Sequence, residues 1–219
     1  MSSHLENSGI APPYIDGYRL LRRVGVGSYG EVWLAEDRAR VHRAVKIVRR
    51  SSFDSERPYE REYSGILKFE PVSRLHASQV AVLEVGRSDA EGFFYYVMEL
   101  ADSAELTPPM EPGMASGQRH RPLDPKTYRP KNLRSEITRH GRLDIEECLR
   151  TGIALATALD HLHRHGLIHR DIKPSNVIFV GGVPKLADIG LVTDSGATAT
   201  FVGTEGFLPP EGPSTLPRA

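Results

Sequence analysis

A glycine-rich turn near the start of the chain restricts the fold more than any other feature. The segment GVGSYGEV, residues 25 to 32, has glycines at positions 25, 27 and 30. Lacking a Cβ, glycine lets a backbone turn sharply and approach another group closely. Such a turn can lay its amides over phosphates. Similar spacing occurs in dinucleotide-binding turns, but those need a helix immediately afterwards. Here EVWLAED follows, a strand former, and YRLLRRVG precedes, a half-alternating apolar run. Strand on both sides predicts a β-hairpin and argues against a βαβ nucleotide fold. A simple glycine hairpin satisfies the same residues, so the turn alone does not define a function.

The segments around it extend the β reading. EVWLAEDR and HRAVKIVRR predict two strands joined by a turn, and VAVLEVGR and GFFYYVMEL predict a hairpin pair turning at DAEG. Between them, residues 56 to 69 suit a helix that begins near Pro58. Residues 107 to 125 hold five prolines and no apolar periodicity, which predicts a surface loop or insertion. Asp144 followed by Glu147 predicts a capping box opening a second helix. Leu149, Ile153, Ala156, Leu159 and Leu162 fall close to one face of that helix, and Gly166 ends it. Short strands are expected at LIH, NVIFV and VPKLAD. The first part of the chain is thus mostly β and the second mostly helical, with the link near residues 98 to 103.

Composition narrows the setting. The 219 residues suffice for one large domain or two small ones. Lys plus Arg equal Asp plus Glu at 28 each, which leaves no electrostatic footprint for nucleic acid. The single cysteine, Cys148, cannot form an internal disulfide. That points to a reducing, cytoplasmic setting, with Cys148 expected as a small buried residue. No secretory signal and no membrane-spanning apolar run is visible.

Two further stretches carry chemistry. Lys46 sits inside the apolar strand AVKIV, where a lysine either faces solvent or needs an anionic partner; Glu60 and Glu62 of the following helix are at hand. HRDIKPSN, residues 169 to 176, lies between a helix and an apolar strand. It supplies an acid at Asp171, a cation at Lys173 and an amide at Asn176. An aspartate can accept the proton of a hydroxyl nucleophile, and a lysine nearby can balance charge on a transferring phosphoryl group. An amide oxygen and a carboxylate, here Asn176 and Asp188 of LADIG, are ligands suited to Mg²⁺ beside nucleotide phosphates. HLHRH, residues 161 to 165, places His161 and His165 on one helix face without an evident third metal ligand, so it reads as a solvated face.

The ordered set GVGSYGEV, AVKIV, HRDIKPSN, DIG and GTEGFLPPE resembles the eukaryotic-type (Hanks-type) protein kinase domain over roughly residues 18 to 212. IKPSN resembles the serine/threonine rather than the tyrosine form, and the whole resembles bacterial Ser/Thr kinases. The resemblance implies an α+β, protein kinase-like fold. Its antiparallel β N-lobe, residues 14 to 99, would carry one helix. A mainly α C-lobe would cover residues 100 to 212, interrupted by a long insert near residues 102 to 142. Residues 1 to 13 and 213 to 219 would be tails, the first disordered.

The family's roles then map onto this sequence. Gly25, Val26, Gly27, Ser28, Tyr29 and Gly30 would cover the ATP phosphates, with Val32 and Ala44 against the adenine. Lys46 would hold phosphates and pair with Glu62, with Glu60 as the fallback. Met98 would be the gatekeeper, and the backbone of Glu99 and Leu100 would read the adenine edge. Asp171 would be the catalytic base and Lys173 would steady the γ-phosphate. Asn176 and Asp188 would ligate Mg²⁺. Arg170 would await a phosphate on Thr198 or Thr200, and Thr204 would contact Asp171 and Lys173. ATP, Mg²⁺ and a protein carrying Ser or Thr are the implied cofactors and substrate.

Three departures accompany the match: DIG for Asp-Phe-Gly, LPPE for Ala-Pro-Glu, and an ending soon after Glu211, where the family continues into further helices. The last implies an incomplete C-lobe, with apolar faces of helix 144–165 left uncovered. A nucleotide-binding regulatory or scaffold fragment with weak transfer activity is therefore the alternative to an active Ser/Thr kinase. A small-molecule kinase of similar fold is disfavoured by GTEGFLPPE.

Overall fold

The computed structural model describes residues 12–27, 29–105, 123–188, 193–194, 204 and 206–207. Five antiparallel strands form the first unit: β1 (Tyr18–Val26), β2 (Gly30–Asp37), β3 (His42–Arg49), β4 (Val82–Ser88) and β5 (Phe93–Met98). Their order in the sheet is β1-β2-β3-β5-β4. Strict alternation sorts β3 into two faces. Val45 and Ile47 pack with Ala35, Phe93 and Val97 on one side. Ala44 and Val48 pack on the other with Tyr59, Ile66 and Phe69 of helix α1 (Glu56–Ser73). Lys46 lies between Ala44 and Val48 in the alternation and so shares their face. The buried residues of α1 recur at helical spacing. Pro58 falls in its first turn, where no intrahelical N–H bond is lost. The helix runs beyond Phe69 to Ser73.

The linker after α1 ties the sheet to the rest of the chain. Val80 N donates to Leu186 O at 3.0 Å, Leu186 N to Ser78 O at 2.9 Å, and Gln79 Nε2 to Ala158 O at 2.7 Å. These bonds fix the strand that delivers Asp188 beneath the sheet.

The second unit contains α2 (Leu133–His140), α3 (Ile145–Arg164), β6 (Leu167–Ile168), β7 (Val177–Val180), β8 (Val183–Leu186) and β9 (Thr193–Asp194). Asp144 caps α3, accepting from Glu147 N at 2.8 Å, which is one half of the expected box, and Gly166 leaves the helix with φ of 72°. The buried line of α3 differs from the expected one. Thr151, Ala158 and Leu162 are buried, with Leu155 and Leu159 packed against β7 and β8. Ile145, Leu149 and Ile153 are 80%, 61% and 65% exposed. The helix thus carries two apolar stripes, and spacing alone cannot say which one packs. Cys148 is exposed, not buried as its residue type suggested. No helix among the described residues is long and apolar enough to cross a membrane.

Of the expected insert near residues 102 to 142, residues 106–122 lie outside the described residues, and the rest is tied into the second unit. Asn132 caps α2 with a reciprocal box: its side chain accepts from Ser135 N at 2.9 Å, and Ser135 Oγ accepts from Asn132 N at 3.1 Å. Before it, residues 128–132 run back along the chain that left the sheet. Ala104 N donates to Arg129 O at 2.8 Å, and Lys131 N donates to Asp102 O at 2.7 Å. The Asp102 carboxylate in turn accepts from Gly181 N and Gly182 N at 2.8 Å each.

Candidate active site

A cleft of about 410 Å³ opens between the β1–β2 hairpin, β3, the connection Glu99–Ala101 and the β7–β8 floor. Gly25, Val26, Gly27, Val32, Ala44, Met98, Glu99 and Leu100 all line it, together with Lys46, Lys173, Asn176 and Asp188. Ala101, Tyr96, Ile178 and Ala187 also line it and were not singled out in the sequence. Their small or apolar side chains give no signal outside the fold. Within the turn, the glycines serve different ends. A Cβ on Gly27 would stand 3.4 Å from Asp188 Oδ2, so the turn closes directly over that carboxylate. A Cβ on Gly30 would stand 2.3 Å from Ile47 O, so this glycine serves sheet packing rather than the cleft. Tyr29 does not line the cleft; its ring stacks on Phe53 at 4.9 Å. Ser28, Thr198 and Thr200 lie outside the described residues.

At the deep end, the buried Lys46 ammonium hydrogen-bonds the Asp188 carboxylate. Burial alone would push Lys46 down, but Asp188 more than reverses this and the lysine is held well above its ordinary value. Lys46 in turn holds Asp188 below the usual carboxylate range, against the effect of burial. Glu62 comes near the pair without joining it. Its Oε1 is buried and has no hydrogen-bond partner among the described residues. Burial, opposed by Lys46 and reinforced by Asp188, raises Glu62 to about 8. Glu60 is engaged elsewhere, bonding Arg87 at 2.7 and 2.8 Å, which removes it as a partner for Lys46.

A second cluster sits on the loop after α3. Asp171 is buried and accepts from Asn176 Nδ2 at 2.9 Å, from Lys173 Nζ at 2.7 Å and from Thr204 Oγ1 at 2.7 Å. The Thr204 hydroxyl accepts from Lys173 Nζ at 2.7 Å, closing a triangle. Asn176 Nδ2 also donates to Asp171 O at 2.9 Å. With its amide nitrogen so committed, the oxygen is the end of Asn176 left to serve a cation. His169, which the sequence reading passed over, braces this loop to the strand carrying Asp188. Its Nε2 meets Ala187 O at 3.0 Å, and burial keeps it below its ordinary value. Arg170 and Asp188 adopt φ of 65° and 58°, a region non-glycine residues seldom occupy outside constrained sites. Arg170 Nη1 is buried without a hydrogen-bond partner among the described residues. Burial, then the neighbouring Arg61, lowers its pKa.

The residues present suit a magnesium nucleotide. A carboxylate and an amide oxygen converge near two lysines, under a turn where a Cβ on Gly27 would already be in van der Waals contact with Asp188. Among the described residues, no group of three or more His, Cys, Asp or Glu could hold a metal by itself. His161 is half-buried, with Nε2 3.3 Å from Val72 O and its ring 5.3 Å from that of His76, so HLHRH is not wholly a solvated face.

This arrangement, glycine turn over buried lysine and aspartate over an HRD loop, is the one expected of a protein kinase domain. The protein kinase domain family matches residues 18–213, and the chain belongs to that family. Its relatives are of the serine/threonine type. It is 33% identical over 149 residues to serine/threonine-protein kinase PknK of Mycobacterium tuberculosis, covering 64% of this chain and 13% of that protein. It is 27% identical over 209 residues to probable serine/threonine-protein kinase PknB of Lactococcus lactis, covering 90% and 28%. It is likewise 27% identical over 205 residues to CBL-interacting serine/threonine-protein kinase 9 of Arabidopsis thaliana, covering 90% and 39%. The chain spans well under half the length of these relatives.

Proposed function

We propose that this chain transfers the γ-phosphate of ATP to serine or threonine hydroxyls of a protein, with Mg²⁺. The observation that carries the reading is the Asp171–Lys173–Thr204 triangle, whose Lys173 lines the same cleft as Lys46 and Asp188. Bound magnesium ATP supplies the phosphoryl group. Asn176 and Asp188 would hold the metal, and Lys46 would hold phosphate. Asp171 orients the substrate hydroxyl and takes its proton, and Lys173 balances charge that builds on the phosphoryl oxygens. Thr204 ties the substrate-side segment to both groups. A phosphate on Thr198 or Thr200 would find Arg170, whose Nη1 has no hydrogen-bond partner among the described residues, with Arg61 adding positive charge. The balanced charge and single cysteine support a cytoplasmic setting without nucleic acid.

A second reading, nucleotide binding with little transfer, is favoured by one observation: Lys46 bonds Asp188 while Glu62 Oε1 has no hydrogen-bond partner among the described residues. Kinase catalysis needs the lysine–glutamate pair and a metal-bound aspartate together. Labelled-ATP transfer to a generic protein substrate, run beside Asp171→Asn, separates the two. Transfer that disappears in the variant supports the kinase reading. Nucleotide binding with identical background labelling in both proteins supports the second.

A further inference from the structure

Beyond the connection Glu99–Ala101, the cleft has a wall supplied by the segment just before α2. Tyr128, Pro130 and Asn132 all line it. Two side chains hold this wall. The Tyr128 ring is 2% exposed, and its hydroxyl donates to Ala101 O at 3.0 Å. Arg22, on β1, reaches across from the sheet. Its Nε donates to Pro125 O at 2.9 Å and its Nη2 to Tyr128 O. Pro125 and Tyr128 follow the connection between the two units, whereas Arg22 precedes it. The sheet and the second unit are therefore joined at the cleft's rim by two hydrogen bonds apart from the covalent connection.

We infer that Arg22 and Tyr128 form a strap that holds residues 125–132 as a wall of the nucleotide cleft, so that nucleotide leaves only when the strap opens. The inference rests on the nucleotide reading of the cleft. Both are positioning residues: Arg22 acts through two carbonyls, and Tyr128 acts through the Ala101 carbonyl. Burial, then the Asp102 carboxylate, pushes the Tyr128 hydroxyl up, so it remains a donor at any physiological pH. A guanidinium donating to two carbonyls is a stronger tie than a neutral hydroxyl bond, so Arg22 should matter more. Opening the sheet away from the floor would break both Arg22 bonds, and a bound nucleotide keeps the two surfaces together. The strap should therefore act mainly on departure rather than on arrival.

The test is stopped-flow release of fluorescently labelled ADP, with Mg²⁺, from the full chain when chased by excess ATP. Arg22→Met should speed release about tenfold, and Tyr128→Phe about threefold, while association changes less than about twofold. Arg22→Lys, which can restore one bond, should fall between Arg22→Met and the unchanged protein. Arg38→Met, which removes an exposed ion pair with Asp16, serves as the control and should release at the unchanged rate. Should Arg22→Met fail to fold, Tyr128→Phe decides alone, since it removes only one oxygen. If the unchanged protein binds and both variants release at its rate, the strap is refuted while the nucleotide reading stands. Equal acceleration in Arg38→Met also refutes it. If the unchanged protein does not bind labelled ADP, the nucleotide reading itself fails.

Discussion

Two lysine–carboxylate pairs reach the same cleft, Lys46–Asp188 with both members in its lining and Asp171–Lys173 through its lysine, and they are buried in opposite senses. In the first, the Lys46 side chain is 3% exposed and Asp188 is 24% exposed. In the second, Asp171 is 3% exposed and Lys173 is 16% exposed. A buried ammonium on an apolar strand face requires an anion, and the anion it holds remains open to the cleft. That is the arrangement expected of a carboxylate that must also meet a metal ion. The buried carboxylate is held differently, by an amide, an ammonium and a hydroxyl together. It is oriented rather than merely neutralised, which suits a group that must point at one hydroxyl. Like charges in like numbers thus perform unlike work because burial falls on opposite members.

Breaking each pair should expose the difference. The largest effect is expected for Asp171→Asn. Losing a general base costs about 10²- to 10⁴-fold in transfer rate, while nucleotide affinity, measured by titration calorimetry, should change little. Next is Asp188→Asn, which leaves Lys46 buried without its anion. Removing one partner of a buried pair costs about 3–5 kcal/mol, and ionisation of nearby Glu62 should hold the loss to the lower end of that range. Denaturant unfolding measures it. Lys173→Ala should cost less than Asp188→Asn in the same experiment, because Asp171 keeps its bonds from Asn176 and Thr204.

Glu62 gives a pH signature of the first pair alone. Its folded-state value is raised from 4.5 to about 8, so the folded protein holds a proton there that the unfolded chain releases. The associated stability is present in full below about pH 4.5 and is lost as pH rises through about 8. Glu62→Gln should therefore melt with the unchanged protein at pH 5 and above it at pH 9, read by thermal melts across that range. The smallest effect is expected for Thr204→Val. It removes the hydroxyl linking Lys173 and Asp171, at about 1 kcal/mol or less in stability and a few-fold in transfer.

The five strands and α1 were legible because alternation and apolar helical spacing recur within short segments, and packing agreed with them. Lys46 stood out because a charge inside AVKIV conflicts with its surroundings, and that conflict marked the site. The preference for Glu62 over Glu60 came from resemblance; the Glu60–Arg87 pair gives a physical reason to exclude Glu60. Other features depended on distant partners and left no local trace. Tyr128 reads as one residue of a proline-rich stretch until Ala101 is seen beside its hydroxyl. The Asn132–Ser135 box is a strong helix start, masked by the composition around it. On α3, both apolar stripes have helical spacing, and only β7 and β8 decide which one is buried. Gly30 looked equivalent to Gly27, yet its neighbour is a strand carbonyl.

The most direct measurement is ATP binding with and without Mg²⁺, to the unchanged chain and to Asp188→Asn, by calorimetry or thermal shift. If Asp188 is the cleft's metal-facing carboxylate, Mg²⁺ tightens ATP binding in the unchanged chain and no longer does so in the variant. Absence of binding at millimolar ATP, or the same Mg²⁺ dependence in both proteins, would contradict it.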